Sequence, residues 1–393
     1  MKSFEKKLLK KIILKNIKKE SKSNFEYPLT DNPFELDDIM NGINVLLKGK
    51  ITMSEITKKF ENKFAKYVGA KYALMVNSGS SANLLSFFCL TNPKNQKKLK
   101  KNDECLIPAL CWSTSLWPIV QSGLKPKFVD VEVNTLNVNL KDLEKKITKK
   151  TKAVMPVHLS GIPCKIDQIK KICKKHNLIL IEDAAHAFGA KYKNEYLGTF
   201  GDIGIFSLHP RKNLHVLGDG GIIVTKNKKL YKKLQLLRNH GLKNRDESII
   251  WGTNSRLDNM QASFGNIMIS KINKWNKKFL NIANYYSKNL KHLVQIPIYD
   301  GQISIPTFHQ YIIRTKKRNA LKIFLSKKGI ETAIHYPKPI HKQKAFINDY
   351  GNVRLEYTER YAKQILSLPI HAFLNDKQIK YVVNNIKLFF DKK

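Results

Sequence analysis

Acidic residues and arginine are both scarce in this 393-residue sequence. Asp and Glu number 31 against 71 Lys and Arg, which gives a formal net charge of +40 at pH 7. Such a charge first suggests nucleic acid or an anionic membrane as a partner. Only eight of the 71 basic residues are arginine, although arginine is the residue that most often hydrogen-bonds to nucleic acid bases and to phosphate groups. The lysines are spread along the chain in pairs, so we attribute the charge mainly to compositional bias and do not expect nucleic acid binding.

Cysteines are few, and their spacing supports neither a disulfide framework nor a metal site. No Cys-x-x-Cys pair and no zinc-like Cys/His spacing occurs among the five: Cys89, Cys105, Cys111, Cys164 and Cys173. We therefore expect reduced thiols, as in the cytoplasm, and no bound metal. No apolar run approaches the roughly 20 residues that span a bilayer, and the first 16 residues lack the features of a signal peptide. The sequence thus predicts a cytoplasmic protein without a transmembrane segment.

The length and the 42% apolar content predict a sizeable core and two domains of unequal size. Residues 1–20 are a candidate for a basic amphipathic helix, which could rest on an anionic membrane, pack on a partner or be an ordinary terminal helix. We predict a basic N-terminal helix over 1–26, a large domain over 27–270 and a smaller domain over 271–393.

Strand-like and helix-like segments alternate from residue 71 onwards. The predicted strands of the large domain cover 71–77, 104–110, 125–132, 153–159, 178–184, 201–208 and 220–225. Helices are predicted between several of these strands and over 35–69 and 257–292. Alternation of this kind implies right-handed crossovers and a mostly parallel sheet covered on both faces. The predicted fold is a three-layer α/β/α large domain, followed by a C-terminal α+β domain with a strand segment at 303–315 and helices at 318–328 and 376–390.

Three polar groups are expected at the carboxyl ends of the parallel strands, where ligands of such sheets gather. Residues 77–81 read Asn-Ser-Gly-Ser-Ser between a strand and a helix, which favours a phosphate site but is also ordinary at a helix start. Glu182 and Asp183 close a buried strand, where a carboxylate is costly unless it meets a cation or faces solvent. Lys212 follows the strand at 201–208 and by itself would be expected to be solvated.

Together these groups match the requirements of one cofactor. Pyridoxal phosphate needs an amine that forms a Schiff base, an acid that keeps its pyridine nitrogen protonated and an anion site. Lys212, Asp183 and the loop at 78–81 supply one each.

The motifs around these residues resemble, in order and spacing, the DegT/DnrJ/EryC1/StrS family of fold-type-I pyridoxal-phosphate enzymes. The resemblance covers roughly residues 27–390 and rests on NSGSSANLL (77–85), VHLSGIP (157–163), IEDAAHAFGA (181–190), FSLHPRKN (206–213), GDGG (218–221), TNSRLDNMQA (253–262), GIETAIHYPKPIH (329–341) and SLPIH (367–371). No single motif is decisive, but the ordered set is specific.

The resemblance implies roles for individual residues. Lys212 matches the lysine that binds the cofactor and moves the proton, and Asp183 matches the carboxylate on the pyridine nitrogen. His186 stands where the family has Gln or His near the ring hydroxyl, and Trp112 matches an aromatic that stacks on the ring. The resemblance implies that Ser80, Ser81 and Ser207 bind the phosphate. It also implies that Asn254 contacts the phosphate bound to the neighbouring subunit. His335 and Tyr336 match a stretch near the sugar-binding cleft.

The implied function is an aminotransferase that takes an amino group, with L-glutamate as the expected donor, to a nucleotide-linked keto-(deoxy)sugar. The cofactor would alternate between pyridoxal and pyridoxamine phosphate, and a homodimer with shared active sites is expected. Surface-polysaccharide or amino-sugar biosynthesis is the expected setting.

Two alternatives stay open. Keto-deoxysugar 3-dehydratases of the same family have His at the position of Lys212, and a regulatory or nucleic-acid-binding relative would keep the fold without the chemistry.

Overall fold

The computed structural model describes residues 3–16, 24–31, 34–92 and 99–391, and it confirms the predicted α/β fold. The helices are α1 Ser3–Asn16, α2 Leu36–Leu47, α3 Glu55–Val68, α4 Gly79–Thr91, α5 Trp117–Gln121, α6 Leu140–Lys145, α7 Ile166–Lys175, α8 Lys228–Arg238, α9 Asn259–Leu290, α10 Arg318–Lys327, α11 Lys344–Tyr350, α12 Glu356–Ala362 and α13 Asp376–Asp391. The strands are β1 Tyr72–Val76, β2 Glu104–Pro108, β3 Lys125–Val129, β4 Thr151–Val154, β5 Ile179–Asp183, β6 Lys191–Tyr192, β7 Glu195–Tyr196, β8 Ile203–Ser207, β9 Gly221–Thr225, β10 Ser304–Ile305, β11 Tyr311–Arg314 and β12 Ile365–Leu368.

A seven-stranded sheet forms the centre of the large domain, in the order β1-β9-β8-β5-β4-β2-β3. Strand β9 runs antiparallel to both of its neighbours, and the other pairs are parallel. The sheet is therefore mostly parallel, as predicted. Six strands end at one edge of the sheet, and β9 begins there. This edge collects the residues that follow the strands.

Helices cover both faces of this sheet because its strand residues alternate between two apolar cores. Met75 of β1 and Phe206 of β8 pack in one core with Phe60 and Phe64 of α3 and with residues of α9. Their neighbours Leu74 and Ile205 face the other core, which contains residues of α4, α5 and α8. Strands buried on both faces are typical of sheets covered by helices on each side.

The C-terminal region adds the small sheet β11–β12, with α10 beside β12 and α13 packed on α10 and α9. The division at residue 270 stays a prediction, and helix α9 runs through that position without interruption. The stretch predicted as strand over 303–315 contains two strands, β10 and β11, and they belong to different sheets, since β10 pairs with β6 and β11 pairs with β12.

One local prediction was wrong, and one element was missed. The helix predicted over 35–69 is interrupted between α2 and α3, where Gly49 has a φ of +65°. The side chain of Asn259 holds this interruption: it donates to the Lys50 carbonyl at 2.9 Å and accepts from the Ser54 N–H at 3.0 Å. The hairpin β6–β7 was not predicted at all, and it turns through two residues with positive φ, Lys193 and Asn194.

The basic N-terminal helix predicted over 1–26 is described over Ser3–Asn16 as α1. Residues 1–2 and 17–23 lie outside the described residues, and residues 24–26 are not helical. None of the helices in the described ranges is long and apolar enough to cross a bilayer. All five cysteines are free and buried.

Candidate active site

A cleft of about 580 Å³ lies at the edge of the sheet where the parallel strands end. Eight of the ten residues singled out in the sequence line this cleft: Ser80, Trp112, Asp183, His186, Ser207, Lys212, His335 and Tyr336. Ser81 and Asn254 do not. The eight residues come from the ends of β1, β2, β5 and β8, from the loops that follow β5 and β8, and from one segment of the C-terminal region.

The two carboxylates that end β5 lie in different surroundings. Glu182 is fully buried and accepts hydrogen bonds from the backbone N–H groups of Gly198, Phe200 and Gly201 at 2.7–2.9 Å. It also lies 3.2 Å from Nε2 of His158. Its four partners belong to the protein interior, so Glu182 is a structural group.

Asp183, in contrast, faces the cleft. One carboxylate oxygen accepts from the Ser115 hydroxyl at 2.7 Å, and the other accepts from the N–H of Ala185 at 3.0 Å. The residue is only 3% exposed. These two bonds fix the orientation of a carboxylate that is sheltered from water, which is the condition under which its charge acts most strongly on a bound ligand.

Lys212 lies in the loop between β8 and β9, and the backbone closes this loop tightly. The N–H of Val216 donates to the carbonyl of Leu208 at 3.1 Å, and the N–H of Lys212 donates to the carbonyl of His209 at 2.8 Å. Burial lowers the pKa of the Lys212 amine to about 8, and the charge of Asp183 opposes this shift. A substantial fraction of the amine is therefore neutral near pH 8, and the neutral amine is the form that acts as nucleophile or base.

The turn from β1 into α4 forms a cradle for an anion. Ser78 caps the helix, since its hydroxyl accepts from the N–H of Ser81 at 3.0 Å. Gly79 packs directly against β8: a Cβ atom at this position would lie 2.8 Å from Cβ of Ser207. Only glycine lets the first turn of α4 approach the Ser207 hydroxyl so closely, and the N-terminus of a helix favours negative charge.

His186 lies beside a second histidine in the wall of the cleft. The His186 and His309 ring centroids are 4.5 Å apart, and Nδ1 of His186 accepts from the N–H of Ser160 at 3.3 Å. Burial, aided by the charge of Lys212, holds the pKa of His186 well below its usual range. The neutral ring that results carries its proton on Nε2 and can donate one hydrogen bond.

Two aromatic rings and one imidazole form another part of the cleft wall. The Trp112 and Tyr336 ring centroids are 5.7 Å apart, and Trp112 is 57% exposed at the cleft. Nδ1 of His335 lies 2.8 Å from the Ser367 hydroxyl, and burial lowers the pKa of His335 to about 4. An exposed tryptophan beside a polar cleft offers a flat surface for a ring.

The two remaining candidates do not line the cleft. The Ser81 hydroxyl is 3.0 Å from that of Ser78, inside the first turn of α4. Asn254 is exposed on the segment between α8 and α9, where its backbone pairs with Asn239. This segment approaches the end of β1, because the N–H of Asn77 donates to the carbonyl of Ser255 at 3.1 Å.

Several residues of the cleft were missed in the sequence. They were assigned no role, although five of them lie within the motifs quoted above: Asn83, Val157, His209, Arg211 and Asp219. The other three are Ser115, His309 and Gln310. Ser115 follows Trp112 in a polar Ser-Thr-Ser run, which was a usable signal. His309 and Gln310 come from the link between β10 and β11, and only the folded chain brings this link beside the sheet.

The residues present fit pyridoxal phosphate. The cradle beside Gly79 suits the phosphate, Asp183 suits the pyridine nitrogen, and Lys212 supplies the amine. Trp112 offers the flat surface, and the cleft has the size of a cofactor site. The fold and this arrangement define a fold-type-I pyridoxal-phosphate enzyme.

The comparisons with known proteins place the chain within that class. It belongs to the DegT/DnrJ/EryC1/StrS aminotransferase family, whose model matches residues 35–387. It is 35% identical over 357 residues to a dTDP-3-amino-3,6-dideoxy-alpha-D-galactopyranose transaminase of Aneurinibacillus thermoaerophilus, covering 90% of this chain and 95% of the relative. A pleiotropic regulatory protein of Geobacillus stearothermophilus is 34% identical over 352 residues, which are 88% of this chain and 92% of that protein.

Solved structures agree with these relatives. DesV of Streptomyces venezuelae superposes with a TM-score of 0.88 at 30% identity, covering 93% of this chain and 99% of that one. The Escherichia coli GDP-4-keto-6-deoxy-D-mannose-3-dehydratase with bound hydrated PLP has a TM-score of 0.86 at 29% identity, covering 92% of this chain and 99% of that one. A solved structure of this fold thus contains pyridoxal phosphate, and a dehydratase shares the fold.

Proposed function

We propose that this protein transfers an amino group from L-glutamate to a keto group of a nucleotide-linked sugar. The observation that carries the proposal is the presence of Lys212 and Asp183 in one cleft, with an anion cradle beside them. Bound pyridoxal phosphate would supply an electrophilic carbon and an electron sink for both halves of the reaction. The similarity to a dTDP-amino-sugar transaminase supports a nucleotide-linked sugar as the acceptor.

Each residue of the cleft has a proposed task. Lys212 would hold the cofactor and then move a proton as a general base and acid, since its pKa of about 8 suits both directions near neutral pH. Asp183, oriented by Ser115, would keep the pyridine nitrogen protonated. Ser80 and Ser207 would bind the phosphate, and Trp112 would stack on the ring.

The substrate would bind along the cleft wall that Trp112 and the C-terminal segment form together. His335 and Tyr336 belong to this wall and are proposed to contact the sugar. Arg211 is exposed at the cleft, and the net charge of +40 would attract the diphosphate of a nucleotide sugar. His186 would donate a hydrogen bond from Nε2 toward the ring hydroxyl of the cofactor.

A homodimer in the cytoplasm completes the proposal. Asn254 is exposed beside the end of β1, where a second subunit could use it. Ser81 has its hydroxyl against Ser78, so it would assist the phosphate through the helix start rather than directly. Five free, buried cysteines are what a reducing compartment favours.

The test uses the purified protein in two steps. With pyridoxal phosphate and L-glutamate alone, about one equivalent of 2-oxoglutarate per subunit is expected, because the amino group stays on the cofactor until an acceptor arrives. Addition of a nucleotide-linked keto sugar should then give an amino sugar, identified by mass spectrometry. Failure of glutamate to react would contradict the proposed donor, and failure of every other amino acid as well would contradict transamination.

A 3-dehydratase is the second candidate, since the dehydratase from Escherichia coli has the same fold at 29% identity. Such an enzyme removes a hydroxyl from the sugar and leaves no nitrogen in the product. Lys212 favours transamination, because the dehydratases that the sequence resembles have His there. The same mass spectrum separates the two: a deoxy sugar without nitrogen supports the dehydratase.

A further inference from the structure

Helix α1 presents a row of large apolar side chains to solvent. Phe4, Leu8 and Ile12 are spaced by four residues, so they share one face of the helix, and they are 75%, 50% and 51% exposed. Leu9 and Ile13 are half-buried, and α1 packs against α2. A helix that served only to pack on α2 would turn its apolar side chains inward. In α1, one side of the helix packs against α2, and the adjacent apolar face is exposed to solvent.

Lysines surround this open face. Helix α1 carries five lysines against one glutamate, Glu5. Lys6, Lys7 and Lys10 lie on the side of the helix away from the centre of the apolar row, and Lys11 borders the row. Lys15 lies within that row, near the end of the helix, where its long side chain can reach past apolar neighbours. The helix is thus amphipathic, with a basic polar face.

An anionic bilayer surface matches both features of α1. Its headgroups attract the lysines, and its acyl boundary accepts Phe4, Leu8 and Ile12. A second copy of α1 would cover the apolar row but bring like charges together. Nucleic acid would pair with the lysines and leave the apolar row in water.

We propose that α1 docks the protein peripherally on anionic lipid, with Phe4, Leu8 and Ile12 at the boundary of headgroups and acyl chains. Helix α1 precedes the family match at 35–387, so this property is separate from the proposed amino transfer. It also requires no membrane-spanning segment.

The chain offers a closely matched pair of variants for the test. Leu8→Glu places a charge in the apolar row, whereas Leu14→Glu makes the same change at a leucine with nearly equal exposure, 50% against 54%. Leu14 lies about 120° around the helix from Leu8, on the side of the lysines. Both variants have the same net charge, so electrostatic attraction alone affects them equally.

The measurement is co-sedimentation of the full-length protein with vesicles. Binding is expected to an equimolar mixture of phosphatidylglycerol and phosphatidylcholine, and not to phosphatidylcholine alone. Leu8→Glu should weaken binding about tenfold more than Leu14→Glu, since a buried leucine side chain is lost from the boundary. Glutamate-dependent formation of 2-oxoglutarate without vesicles should be the same in both variants.

Three results would overturn the proposal. Equal binding to both vesicle types would remove the role of anionic lipid, and equal loss in both variants would remove the role of the apolar row. Unchanged vesicle binding together with a smaller assembly in Leu8→Glu, measured by sedimentation, would assign this face to contact between copies of the chain.

Discussion

Glu182 and Asp183 are neighbours at the end of β5, yet one is held by backbone N–H groups in the interior and the other faces the cleft. Successive side chains of a strand point to opposite faces of its sheet, so one register assigns the two carboxylates to different surroundings. The structural and the chemical roles of this acidic pair can therefore be separated by single substitutions.

We expect Asp183→Asn to reduce amino transfer about a hundredfold or more while the fold survives, because the pyridine nitrogen loses its charged partner. Glu182→Gln should do the reverse and lower the free energy of unfolding by about 3 kcal/mol, because its hydrogen bonds involve a buried charge. Thermal melts and turnover, measured on both variants, test the contrast. Near-normal turnover in Asp183→Asn would show that Asp183 is an ordinary strand-end acid.

Borohydride reduction should attach the cofactor to Lys212. The capture rate by cofactor-free protein should rise with pH to a midpoint near 8 and then level, because the neutral amine reacts and burial lowers the pKa of Lys212 to about 8. An ordinary lysine would show no midpoint below about 10. Peptide mapping identifies the labelled residue, and a label on any other lysine would contradict the assignment.

Ser115 is predicted to be a positioning residue, since its hydroxyl donates to Asp183 at 2.7 Å. Ser115→Ala should lower turnover about tenfold, because a hydrogen bond to a charged group is worth roughly 1.5 kcal/mol. It should also shift the absorbance of the bound cofactor, which a purely structural change would leave alone. Ser113→Ala, in the same short 3₁₀ helix at 113–115 but outside the cleft lining, is the control and should leave turnover and absorbance unchanged.

The cradle should fail when Gly79 is replaced. Gly79→Ala places a Cβ 2.8 Å from Cβ of Ser207, and the crowding should cost about 1–3 kcal/mol and weaken cofactor binding tenfold or more. Gly301→Ala is the matched control, because a Cβ there meets no atom within 4 Å. Equilibrium titration of the cofactor-free variants with pyridoxal phosphate measures the affinity of each variant for the cofactor. Equal affinities would show that α4 can shift away from β8.

Asn254 provides a test of the proposed shared site. Lys212→Ala and Asn254→Ala proteins, both expected to be nearly inactive, are mixed under conditions that exchange subunits. A mixed dimer pairs intact Lys212 of one chain with intact Asn254 of the other, so activity should return to about a quarter of the wild-type sites. If exchange is confirmed and no activity returns, Asn254 acts within its own chain or has no part in the site.

The sheet was predictable because its strands are apolar runs bounded by turns, and the alternation with helices fixed its mostly parallel character. The break between α2 and α3 could not be predicted from the sequence, because it depends on the Asn259 side chain, which lies about 200 residues further along the chain. Contacts of that range leave no local pattern.

The site divides in the same way. Asp183 and Lys212 follow recognisable strands, so their common edge could be inferred from the order of elements. The strand pattern alone could not say which carboxylate of Glu182–Asp183 faces the cleft, since this depends on the register of β5, and it was the family resemblance that selected Asp183. Nor could it place His309 there, because the short pairing of β10 with β6 carries that segment across to the sheet.

Strand β9 lies between β1 and β8 and runs antiparallel to both, and this arrangement affects how Lys212 is held. The chain leaves the sheet at the end of β8 and re-enters at the start of β9, both at the same edge, so no helix has to carry it across a face of the sheet. Lys212 is therefore positioned by a short local loop, which is closed by the hydrogen bond from the N–H of Val216 to the carbonyl of Leu208. Changes in length within the crossovers of the other strands would reshape the rim of the cleft and leave the anchor point of the lysine where it is.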